Sequence, residues 1–373
     1  MLPPPVPSGP PPPDVQTLPA PVSVIPSPAP IESGGAAPEP GTPPLPETTP
    51  PTLKTDSIAL VLPLQSALYG RAAEAVRAGF LAAANAAGRG ARVQVIGHSD
   101  DGVLPAFAAA FDAGVALIVG PLTRDDLKTV LALAPSRPRM LALNQPDDGS
   151  ALPPETYALA LSVESDAAVL ARQAREDGAR TLVTLTSDAP LERRFRAAFA
   201  AAWERSGGAT ARDYRFDPNP DVLALMRREQ AARPSDAVLM CVASGDAALA
   251  KSFLAPGLVY ASSQIADGLS PEMLRDLEGV RYVEIPWLAD PVDPAFARLP
   301  RASMGDPVLD RLYALGLDAF ALSELLANPE PPTRIEYDGA TGRLSLTRTG
   351  TFAREGRIMV IRGGAPAALS PRP

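Results

Sequence analysis

A lone histidine, a lone cysteine and several small groups of hydroxyl and amide side chains are where this chain could do chemistry. His98 stands beside Ser99, Asp100 and Asp101, so a Ser-His-Asp relay would have to be built there. No GxSxG elbow accompanies it, and adjacent carboxylates on an extended segment face opposite ways, which spoils Asp100 and Asp101 as an acid/base pair. The histidine therefore reads as a loop residue near the surface, and the two aspartates as capping or solvated groups. Cys241, inside the apolar run 237–243, reads as a small core residue rather than a nucleophile. Gly88-Arg89-Gly90 joins a helix to a strand, the reverse of a phosphate loop, and reads as a turn. With one histidine and one cysteine, internal disulfides and zinc sites of the usual Cys/His type are excluded. No catalytic residue, metal or cofactor is expected, and the chain is not expected to be an enzyme.

Better candidates lie where loops would leave the carboxyl ends of parallel strands, the place where open α/β sheets meet their ligands. These are Gln65, Ser66 and Tyr69 after the first strand, Leu122 and Thr123 after the third, and Asn144 and Gln145 after the fourth. Ser162, Glu164 and Ser165 would come from a crossover, and Ser262, Ser263 and Gln264 from a second lobe. Such groups could hold an amino-acid-like ligand between two lobes. Ser, Thr and Asn are also favoured at helix N-caps, so the same residues could merely close loops.

The elements that would position these groups follow from hydrophobic periodicity. Residues 58–62 are a fully apolar run ended by Pro63, as in a strand covered on both faces. After the turn at 63–70, Ala72, Val76, Phe80 and Ala83 fall on one face of a helix. Strands at 92–97, 116–119, 139–143 and 157–163 then alternate with helices at 105–113 and 124–133. The series restarts with a helix at 166–177 and strands at 181–186, 211–216, 237–243, 257–262 and 281–285, separated by helices. A long helix at 307–327, a hairpin over 334–337 and 343–346, and a strand at 357–361 close it. Such alternation predicts an α/β fold with mostly parallel sheets, best divided into two doubly wound lobes. The expected body is 55–362, with lobe 1 at 58–158 and 286–333 and lobe 2 at 159–285 and 334–362. Residues 363–373 are expected to form a flexible tail. Trp287 reads as hinge packing, and Arg193, Arg194 and Arg196 with Glu192 as a solvated helix face.

Residues 1–54 are dominated by proline with glycine, serine and threonine and cannot bury enough apolar surface to fold. They read as a disordered tether, with a proline-motif ligand as the rival reading. The chain is acidic, with 34 Lys+Arg against 42 Asp+Glu, and carries no basic stripe, so nucleic acid is not an expected partner. No apolar run reaches the roughly 18–20 residues of a membrane helix. No lysine or arginine precedes Lys54 and no apolar h-region follows Met1, so no signal peptide is read in the chain as given. Either a cytosolic protein or a true start further upstream is expected.

The opening PLQSALYGRAAEAVRAGFLAAAN, the Gly120-Pro121-Leu122 strand ending and the late YDGATGRLSL resemble the type I periplasmic-binding fold. More discriminating are MLALNQP at 140–146, the passage 159–166, YASSQI at 260–265, LEGVRYVEIPWL at 277–288 and DRLYALGLDA at 310–319. Together they resemble the carboxy-terminal domain of the LppC/LpoA family over about 58–361. Longer members carry an amino-terminal helical-repeat domain, and the resemblance implies that the proline-rich segment stands in its place here. The resemblance implies a periplasmic regulator of peptidoglycan synthesis that binds and activates a class A penicillin-binding protein, anchored to the outer membrane by a lipid. The alternative is a solute-binding receptor holding an amino acid or peptide between its lobes.

Overall fold

The computed structural model describes residues 54–133, 139–147 and 149–369. The expected tether at 1–54 lies outside the described residues except for Lys54, as does the last part of the expected tail, 370–373.

The first half is built from β1 (Lys54–Leu62), α1 (Gly70–Ala86), β2 (Val93–Gly97), α2 (Val103–Asp112), β3 (Val115–Val119), α3 (Arg124–Leu131), β4 (Met140–Ala142) and β5 (Thr156–Ala158). Its strands form one parallel sheet in the order β2-β1-β3-β4-β5. The apolar run in β1 explains why helices cover both faces. Ile58, Leu60 and Leu62 point into one core with α1, and Ala59 and Val61 point into another with Val103 and Phe107 of α2 and Leu127 of α3.

The second half comprises α4 (Val163–Glu176), β6 (Thr181–Thr186), α5 (Pro190–Arg205), β7 (Ala209–Arg215), α6 (Pro220–Ala232), β8 (Ala237–Cys241), α7 (Ser244–Ser252), β9 (Leu258–Ala261), α8 (Pro271–Arg275) and β10 (Val280–Glu284). The chain then runs through α9 (Pro286–Ala289), α10 (Pro307–Leu326), β11 (Glu336–Asp338), β12 (Arg343–Leu346), β13 (Phe352–Glu355), β14 (Arg357–Arg362) and β15 (Ala365–Ala368). The second sheet has the order β15-β14-β10-β9-β8-β6-β7. Its five parallel strands repeat the winding of the first sheet, with the first strand of each series second from the edge. β14 and β15 add to it antiparallel. The α/β class and the two doubly wound lobes expected from the sequence are what the structure has.

Helix α10 belongs to the first core, where Tyr313, Leu317 and Phe320 join Val76 and Phe80 of α1. The two helices touch backbone to backbone: a Cβ on Gly79 would lie 1.9 Å from the Tyr313 carbonyl oxygen, and one on Gly316 2.2 Å from that of Val76. Glycine at both positions permits that approach. Phe80 and Phe320 lock it edge to face, 5.4 Å apart. Trp287 is buried beside Phe296 and Tyr313, with the Arg301 guanidinium 4.0 Å over its ring.

Several expectations are corrected. The segment 334–362 does not join the second lobe as one piece, because β11, β12 and β13 form their own three-stranded sheet. Ile335, Ala340, Leu344 and Phe352 bury themselves in the first core, and only β14 crosses to the second sheet. Residues 365–368 are a strand paired with β14 rather than a flexible tail. The strand expected at 157–163 ends at Ala158, since Ser162 caps α4 and draws Val163 into that helix. Among the described residues no helix is long and apolar enough to cross a membrane.

Candidate functional site

Loops at the carboxyl ends of both sheets line two adjoining cavities. The larger, about 490 Å³, lies under the first sheet and is walled by Tyr69, Leu122, Thr123, Arg124, Asn144 and Asp147 among others. The smaller, about 210 Å³, is walled from the second sheet's side by Leu191, Phe195, Ser262, Ser263 and Gln264, and Arg311 reaches it from α10. Leu161 and Leu312 line both. Seven of the candidates from the sequence thus fall on cavity walls: Tyr69, Leu122, Thr123, Asn144, Ser262, Ser263 and Gln264. Gln65, Ser66, Gln145, Ser162 and Glu164 line neither cavity.

Most of these polar groups are bonded to the protein itself. Ser66 is buried, and its Oγ accepts from the Tyr69 and Leu68 amides at 2.9 and 3.2 Å, closing the β1–α1 loop. Gln65 is exposed beside it. Thr123 caps α3, accepting from the Asp126 amide at 3.1 Å and donating to the Asp126 carboxylate at 2.6 Å. Ser162 caps α4 by accepting from the Ser165 amide at 3.2 Å, donates to Glu164 at 2.8 Å and accepts from the Gln145 side chain at 3.1 Å. The Asn144 amide nitrogen donates to the Leu122 carbonyl at 3.0 Å, and its oxygen accepts from Arg124 Nε at 3.2 Å. Arg124 also pairs with Asp147. Burial pushes the Glu164 carboxyl up, but bonds from Arg194, its own amide and Ser162 outweigh that and hold it below the usual range. Tyr69, 41% exposed, stands at the cavity mouth.

The structure also shows groups that the sequence reading did not single out. Arg311 donates to Glu284 from Nε at 2.9 Å and Nη2 at 2.6 Å, and to Asp267 from Nη1 at 2.7 Å and Nη2 at 2.9 Å. Arg354 pairs with Asp166 beneath the same cavity. Asp318, wholly buried in α10, accepts from the amides of Ala340 and Thr341, each at 2.7 Å, and from the Thr341 hydroxyl at 2.6 Å; burial pushes its carboxyl up to about 6. One clue was present: Arg311 and Asp318 sit in the helix 307–326, most of whose residues are apolar.

Glu192 corrects the expected solvated face of α5. It is buried, its carboxyl is pushed up to about 7 by burial with only Ser262 opposing, and its Oε2 has no partner. Arg194 and Arg196 on that helix are ion-paired with Glu164 and Asp213. His98 is buried rather than near the surface; its Nδ1 lies 2.8 Å from the Ser99 carbonyl, and its Nε2 has no partner. Asp100 and Asp101 are exposed, and α2 has Gly102 at its N-cap, with no side-chain cap. Cys241 is buried on β8, where desolvation raises its thiol. Among the described residues no cluster of His, Cys, Asp and Glu suits a metal ion.

Comparison with known proteins adds the following. A family model described as "LppC putative lipoprotein" matches residues 51–358. The penicillin-binding protein activator LpoA of Haemophilus influenzae is 29% identical over 263 residues, covering 68% of this chain and 45% of that protein. LpoA of Klebsiella pneumoniae is 28% identical over 302 residues, covering 71% and 43%. The chain thus spans less than half the length of these curated relatives. In solved structures, the LpoA C-domain from Haemophilus influenzae, described as a regulator of PBP1A, matches with a TM-score of 0.70 at 26% identity, covering 84% of this chain and 100% of that one. A structure from Chromobacterium violaceum described as a "putative branched-chain amino acid ABC transporter" matches with a TM-score of 0.71 at 35% identity, covering 82% and 99%.

Proposed function

The chain belongs to the LppC lipoprotein family, and from that premise we propose that it is a non-enzymatic regulator of peptidoglycan synthesis that binds and activates a class A penicillin-binding protein in the periplasm. The observation that carries this reading is the match to the whole of the LpoA C-domain, the part of the activator that this fold corresponds to. The state of two wall residues supports it: Thr123 is committed to a helix cap and Asn144 to a loop, which leaves each less capacity to grip a solute. Regulation then works by differential affinity: the chain favours the active state of its partner only as far as it binds that state more tightly. In this reading a lipid holds the protein at the outer membrane and 1–54 serves as the tether. The chain should co-purify with its cognate class A enzyme from detergent extracts. Failure to co-purify, with the enzyme intact and in excess, would overturn the proposal.

A second reading, a receptor for an amino acid or a cell-wall peptide, is favoured by the 490 Å³ cavity and by the likeness to the Chromobacterium violaceum structure. Tyr69, Leu122, Thr123, Asn144, Ser262, Ser263 and Gln264 would then contact the ligand. A ligand at about 100 times its dissociation constant adds roughly 2.7 kcal/mol to stability. A thermal-shift screen of amino acids and muropeptides that moves no melting temperature excludes it.

A further inference from the structure

The chain passes between its two halves at three places: 159–162, Ile285 and Gly356. A charge stands near each, buried at Glu284 and Arg354 and half-buried at Asp166. Asp166 lies in the first turn of α4, Glu284 is the last residue of β10, and Arg354 is the penultimate residue of β13, two before Gly356. The two arginines come from elements of the first core, and the carboxylates from elements of the second half. Arg354, 3% exposed, pairs with Asp166 and also donates to the Thr341 carbonyl at 3.1 Å. Arg311 engages Glu284 and Asp267 together through four hydrogen bonds, with its own side chain 11% exposed and theirs 9% and 19%.

We infer that this buried ion network is a latch that holds the two halves at one fixed angle, with Arg311 serving as a built-in bridge across the cleft. The geometry argues for it in two ways. A planar guanidinium gripping two carboxylates has little freedom to rotate, so the pair defines an orientation as well as a distance. Opening about the three crossings would pull Arg311 out of its pockets and strand Glu284 and Asp267 without their partner, which buried charges resist. The packing of the third crossing adds to the stiffness: a Cβ on Gly356 would meet Val283 Cγ1 at 2.5 Å and the Glu284 carbonyl oxygen at 2.8 Å. In hinged two-lobed folds closure is brought about by a bound ligand that touches both lobes. Here a side chain of the chain itself lines the smaller cavity and makes those contacts.

Nitroxide labels on Arg71→Cys in α1 and Arg227→Cys in α6, both exposed, read the angle by double electron–electron resonance, while buried Cys241 stays unlabelled. The labelled protein should give one narrow distance distribution without any ligand, and Arg311→Met should at least double its width or add a second distance. If Arg311→Met fails to fold, Asp267→Asn, which leaves the Glu284 pair in place, should still broaden the distribution. A distribution already broad in the parent protein, or one left unchanged by the foldable variant, overturns the latch. No partner protein is present in this measurement, so its outcome is separate from that of the proposed function.

Discussion

The two cavities share Leu161 and Leu312, yet their polar walls are assembled by different rules. In the larger, Thr123 caps the helix it begins and Asn144 closes a loop to Leu122, so each side chain serves backbone close to it in sequence or in the adjoining strand. In the smaller, Arg311 meets a carboxylate 27 residues away and one 44 away, and Arg354 meets one 188 away. The first wall is a by-product of building loops. The second joins the two halves of the molecule and contributes to fixing their relation.

That contrast orders the expected effects of substitution. Arg311→Met should be the most damaging, because it leaves the buried Glu284 and the half-buried Asp267 without their cation; removing one partner of a buried pair costs roughly 3–5 kcal/mol. Urea unfolding followed by circular dichroism measures it, and a loss under about 1 kcal/mol would mean that water replaces the guanidinium. Next comes Glu192, a buried carboxyl beside the same cavity wall. Its folded pKa of about 7 lies above the ordinary 4.5, so the native state keeps a proton that the unfolded chain releases. Stability should therefore fall as pH rises from about 5 to 7, by up to about 3 kcal/mol from this group. Glu192→Gln should flatten that fall in unfolding titrations taken across the same range, and an unchanged slope would relieve Glu192 of the role. Thr123→Ala, at the wall of the larger cavity, should cost about 1 kcal/mol, the ordinary value of an N-cap.

The same contrast explains how much could be read from the sequence. Alternating strand and helix patterns gave both sheets, because runs such as 58–62 and 237–241 are apolar throughout and their helices keep one apolar face. The capping role of Ser162 was legible as a possibility, but its consequence, an early start of α4 at Val163, was not. β15 escaped notice because APAA contains no β-branched or aromatic residue, and its pairing with β14 is a tertiary decision. Which core the β11–β12 hairpin would join was also beyond local pattern, since Leu344 offers an apolar face to either. The ion network was the least legible part. Arg311 and Arg354 look like ordinary surface arginines until the chain brings Glu284, Asp267 and Asp166 to them.

The most direct test of the regulatory reading is the rate at which a cognate class A penicillin-binding protein polymerises and cross-links lipid-linked precursor with the purified chain added in increasing amounts. The account predicts a saturable rise in one or both rates. Rates that stay flat up to a large excess of correctly folded protein would contradict it.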